Sequence, residues 1–144
     1  MDRLRLVPSL LAAALVAGLV AGCGGLPEVA ATGRVIDVTE RDFRISVSPS
    51  VVQAGAVVFR DTNRGPDAHE LIIVRVRDRK LPLRSDGLTV SEEKLEKSTV
   101  GVLEPGQPNT VRELSAQLKP GRYVLFCNMS GHFMGGMRAD LVVR

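Results

Sequence analysis

Near the C-terminal end the chain runs Cys127-Asn128-Met129-Ser130-Gly131-His132-Phe133-Met134-Gly135-Gly136-Met137. A thiol, an imidazole and thioethers share one segment that contains neither a charged residue nor a proline. Soft thiolate and thioether donors beside imidazole suit copper. Just before it, Tyr123-Val124-Leu125-Phe126 is a short apolar run of the buried-strand kind, which would hold Cys127 rigidly at a strand end. A fold that uses this loop has to bring further donors to that strand end. Only 2 histidines occur in the whole sequence, so a second imidazole has to be His69.

A Cys and a His near one another could also form a nucleophile and its base. That chemistry needs a third group to orient the base, and nothing in the sequence marks one. Which of Met129, Met134 and Met137 supplies a thioether is open from the residues alone, because methionine also serves as a filler of irregular core space.

The remainder of the chain fits an exported domain. Its 144 residues suffice for one domain and are few for two. Arg3 and Arg5 precede the apolar run Leu10 to Val20, which Val20-Ala21-Gly22-Cys23 closes. This is the order of a secretory signal, too short for a comfortable membrane span. Residues 1–22 are therefore expected to be a signal peptide, and 23–33 a small-residue linker containing Pro27. The four residues ending in Cys23 resemble the lipobox of bacterial lipoproteins, which implies lipid on Cys23 and a domain held on the outer side of a bacterial membrane. Such a linker of ten residues reaches only about 15–20 Å on average. With Cys23 lipidated, Cys127 would be the one thiol left unpaired in an oxidising compartment, and metal ligation accounts for that.

From Arg34 the period is two. Val35, Ile36 and Val38 mark a first strand, and Phe43, Ile45 and Val47 alternate with Arg44 and Ser46 in a second. Ala56 to Asp61 is a third. A polar turn with Gly65 and Pro66 precedes His69-Glu70-Leu71-Ile72-Ile73-Val74-Arg75-Val76, a strongly apolar strand with His69 at its mouth. Leu81 to Gly106 is a polar excursion. Within it Ser91-Glu92-Glu93-Lys94-Leu95-Glu96-Lys97 has the N-cap and charge order of a short surface helix. Thr110 to Leu114, Arg122 to Phe126 and Arg138 to Val143 complete the set. Short strands with Pro/Gly turns predict an all-β Greek-key β-sandwich over residues 34–144. Aromatic residues are only 3% of the chain, so its core must rest on Val, Leu and Ile.

The order His69, Cys127, His132, Met137, with four residues between each successive pair in the distal loop, resembles the azurin-like cupredoxins. The resemblance spans about the last 110 residues, on the scale of one domain. It implies one mononuclear type 1 copper held by His69, Cys127, His132 and Met137. Asn63-x-Gly65 resembles the loop before the first histidine in that family. Two positions depart from it: Glu70 stands where many members carry Asn, and Ala68 where azurins carry Gly.

Ligand economy then bounds the function. One copper centre uses both histidines, leaving none for a second His-ligated centre, and a closed ligand set has no place for substrate. The expectation is a one-electron carrier between redox proteins, not an enzyme; the alternative is a copper-delivery lipoprotein that uses the extra methionines to capture Cu(I). His132, followed by Phe133 and Met134, is expected at an apolar docking patch. The formal net charge is +3, with cations scattered among acids, which excludes the clustered stripe of a nucleic-acid binder. Arg75, Arg77, Arg79 and Lys80 form the densest basic run, interrupted by Asp78. A monomer is expected.

Overall fold

The computed structural model describes residues 33–144; the expected signal peptide, Cys23 and most of the linker lie outside the described residues. Nine strands form two sheets. The first contains β1 (Arg34–Arg41), β2 (Arg44–Ser48), β4 (Gly55–Asn63) and β7 (Val111–Leu118), in the order β2-β1-β4-β7. The second contains β3 (Val51–Val52), β5 (His69–Val76), β6 (Thr99–Gly106), β8 (Gly121–Phe126) and β9 (Arg138–Val143), in the order β3-β9-β8-β5-β6. Most neighbours are antiparallel, whereas β1 with β4 and β3 with β9 run parallel. The result is the expected β-sandwich.

Alternation explains the core. In β1 the inward positions are Ile36, Val38 and Glu40; in β4 they are Val57, Phe59, Asp61 and Asn63. The apolar members meet Leu71, Ile73, Tyr123, Leu125 and Leu141 of the other sheet in one buried cluster. The same register carries Glu40, Asp61 and Asn63 inward at one pole, and that pole holds the site.

Leu71 to Val74 of β5 and Tyr123 to Phe126 of β8 are unbroken buried runs because both faces are covered there. On the outer face Ile72, Val74, Val124 and Phe126 pack with Val90, Leu95 and Phe133. The excursion after β5 thus serves as a flap over that face. Its helical part takes the form of two 3-10 turns, Glu92–Lys94 and Glu96–Ser98. Ser91 does not cap them; its hydroxyl turns to the Glu93 carboxylate at 3.0 Å.

β6 lies inside the span expected to be an excursion. It contains Pro105, which cannot donate to a ladder, and it sits at the sheet edge where proline is tolerated.

Candidate metal centre

Two strands of the second sheet deliver the first two donors. β5 begins with His69, and antiparallel β8 ends at Phe126, so Cys127 emerges at the same pole. The segment that follows turns on Gly131 and Gly136, both with positive φ (82° and 112°), around a four-residue helix, His132–Gly135. Those turns bring His132 back over the strand ends.

One nitrogen of His69, the Cys127 sulfur and one nitrogen of His132 lie within 4.8 Å of one another. His69 Nδ1 is 3.3 Å from His132 Nδ1, and Cys127 Sγ is 3.5 Å from that same nitrogen. His69 and Cys127 are fully buried, while His132 is half-buried. The trio could hold one metal ion.

Burial sets its electrostatics. Desolvation pushes the Cys127 thiol up to about 11, so without a cation it keeps its proton. A coordinated cation reverses this and deprotonates the thiol. Desolvation, with the neighbouring His132, lowers His69 and favours its neutral, ligating form. One thiolate and two imidazoles are the soft and borderline donors that favour copper over Mg²⁺ or Ca²⁺.

No family model matches the sequence, and no curated relative does either. Solved structures do match in shape. Auracyanin A, a "blue" copper protein from the green thermophilic photosynthetic bacterium Chloroflexus aurantiacus, is 17% identical, with a TM-score of 0.55, covering 76% of this chain and 98% of that one. Reduced rusticyanin is 16% identical, with a TM-score of 0.56, covering 78% and 81%. An azurin from the methylotroph Methylomonas sp. strain J is 15% identical, with a TM-score of 0.54, covering 77% and 98%. The chain has the cupredoxin fold.

Within that cupredoxin fold, a buried charge network braces the His69 side. Arg112 of β7 stands opposite Asp61 in register. Its guanidinium donates to Asp61, to Glu40 at 3.1 Å and to the His69 carbonyl at 3.2 Å. Glu40 and Asp61 are both fully buried, and Glu40 Oε1 and Asp61 Oδ1 have no other donor. Burial, then the charge of Asp61, pushes Glu40 up to about 9; burial raises Asp61 as well. The arrangement that satisfies both oxygens is one proton shared by the pair.

Asn63 shapes the turn before His69. Its side chain donates to the carbonyls of Asp67 and Gly106 and accepts from the Gly65 N–H. Gly65 is required there by space: a Cβ would fall 2.8 Å from His69 Nε2 and 2.9 Å from Asp42 Oδ1. Those two atoms face each other at 3.2 Å, an oblique approach short of hydrogen-bond alignment. Asp42, in the β1–β2 turn, thus backs the histidine on the side away from the donor cluster.

Glu70 ties the His69 and Cys127 segments together. Its carboxylate accepts the Asn128 N–H at 3.0 Å, and the Asn128 side chain bonds Val90 on both its N–H and its carbonyl. The departure from Asn at this position therefore keeps a link between the loops.

Met137 is fully buried, and its backbone bonds both Cys127 (3.1 Å) and His132 (3.0 Å). Met134 is 54% exposed and Met129 partly buried. Phe133 corrects the expected docking patch. It is buried against Phe126, ring centroids 5.6 Å apart, with Arg138 over its face. The exposed apolar groups beside His132 are instead Met134 and Phe43, whose ring meets the imidazole edge-on at 5.9 Å.

Proposed function

We propose that this chain is an extracytoplasmic, membrane-anchored type 1 copper protein that carries single electrons between redox proteins. The observation that carries the reading is the convergence of His69, Cys127 and His132 within 4.8 Å, from two strand ends and one glycine-hinged loop. Those three would be the strong ligands, and Met137 the weak axial one. Met137 is supported by its burial and by backbone bonds to both neighbouring ligand residues. Copper held there would supply a one-electron couple.

The chain's own residues supply the rest. Arg112, Asn63 and Glu70 hold the ligand backbone, limiting rearrangement between oxidation states. The buried core beneath Cys127 excludes water. Phe43 and Met134 beside His132 would give a small apolar contact for the brief docking that redox encounters use. With both histidines at one centre, the chain has no second His-ligated site for catalysis. Lipid on Cys23 would hold the domain at the membrane.

Voltammetry with chelator competition tests the role. A carrier cycles reversibly and keeps its copper in both oxidation states; loss of Cu(I) to a competing chelator would indicate copper delivery. Met137→Leu is expected to shift the reduction potential measurably and Met134→Leu to shift it little, since axial ligand identity tunes such sites. The reverse outcome would make Met134 the ligand.

A further inference from the structure

The sandwich has a second pole, opposite the donor cluster. There β5 ends, β8 begins and β7 runs through Lys119-Pro120 into β8. A groove of ≈ 680 Å³ opens at this end, lined by Arg75, Arg77, Lys97 and Lys119 with small polar and apolar neighbours and no carboxylate. All four cations are exposed. Arg75 is fixed across the turn by donation to the Pro120 carbonyl at 2.6 Å. Two of the four belong to the densest basic run of the sequence, which the metal centre leaves unused.

Strand register shows where the chain enters. Arg34 pairs with Val57, Val57 with Ala116, and Gly55 with Leu118, next to Lys119. The first described residue, Gly33, therefore lies at the basic pole, and the ten residues from Cys23 lead to it. Arg34, exposed at the start of β1, adds to the positive charge there.

We propose that this basic pole rests on anionic lipid headgroups, so that the domain stands with its donor cluster turned away from the bilayer. The proposal builds on the membrane-anchored reading above. Cations near an anionic leaflet each add attraction that falls off within a Debye length, about 8 Å at physiological salt. The seven steps of β5 from His69 to Val76 span about 23 Å at the usual strand rise, well beyond that reach. The attraction therefore acts on one pole only and sets an orientation, while the tether alone sets proximity.

The test uses the intact chain on vesicles of phosphatidylcholine with phosphatidylglycerol, doped with a headgroup spin label, and reads amide line broadening. Val76 and Gly121 should broaden several-fold more than Gly65 and Gly131. That contrast should shrink in pure phosphatidylcholine, at raised salt, and in the combined variant Arg75→Gln, Arg77→Gln, Lys97→Gln, Lys119→Gln. Equal broadening at the two poles of the wild type would overturn the proposal. So would a contrast that persists undiminished in the variant, or saturable binding of inorganic phosphate without any orientation on vesicles. The mass of the N-terminal peptide reports acylation of Cys23 separately, so failure of the anchor leaves the orientation result standing.

Discussion

The two imidazoles of the donor cluster are chemically identical and held by opposite means. His69 opens a central strand, is fully buried, and is ringed by charge: Arg112 on its carbonyl, Asp42 behind its ring, and Glu40 and Asp61 beneath. His132 rides a short loop between two left-handed glycines, half-buried, with an aromatic edge and an exposed methionine for company. Rigidity on one side comes from a buried ionic network. Access on the other comes from small residues and apolar surface. In the proposed function, holding the geometry and passing electrons to a partner would be divided between the two histidines.

Breaking the His69 brace should have the largest effect. Arg112→Met leaves two buried carboxyls without their cation, and removing one partner of such a network typically costs about 3–5 kcal/mol. Denaturant unfolding of the metal-free protein is expected to show that loss. A loss under 1 kcal/mol would mean the network is solvated and does not brace the strand mouth.

The same network should make stability depend on pH. Burial, then the charge of Asp61, pushes Glu40 from its ordinary value of 4.5 up to about 9, so between these values the folded chain holds the extra proton. Its contribution is complete below the unfolded value and is lost as pH rises through the folded one. Stability should therefore fall as pH rises from 7 to 9. Glu40→Gln, which mimics the protonated group, should flatten that slope. His69 titrates low and acts below its ordinary range near 6.5, outside this window.

The smallest stability effect is expected beside His132. Phe43 is 57% exposed, and Phe43→Ala is expected to change stability by no more than about 0.5 kcal/mol, as at ordinary surface sites. Electron exchange with a protein partner should nonetheless slow. Unchanged exchange would place the docking patch away from His132.

The contrast also marks what the sequence could reveal. Cys127 and His132 are legible because their loop is local and follows an apolar run, and His69 because no third histidine exists. Strands with clean alternation are legible too. β6 is not, since Pro105 imitates a break and only its edge position makes that harmless. Glu40 and Asp61 were within reach: each continues the inward parity set by Ile36 and Val38, or by Val57 and Phe59. Arg112 shares the inward side of β7 with Leu114 and Ala116, but its pairing with Asp61 is a matter of register. Asp42 has no sequence signal, because a tight β1–β2 turn reaches the site only after the two sheets pack; Phe43, expected as an apolar position of the second strand, stands instead in that turn with positive φ, 57% exposed. Phe133 was misplaced for a related reason. The residues that follow it, Met134, Gly135 and Gly136, are exposed, whereas its partner Phe126 lies in the second sheet.

The central claim is that Cys127 sulfur, with His69 and His132, binds one copper. Titrating the metal-free protein with Cu(II), followed by visible absorption, tests it directly. One equivalent should raise an intense thiolate-to-copper band that saturates, while Cys127→Ser stays folded and colourless. A wild type without that band, or a serine variant with the same spectrum, would contradict the account.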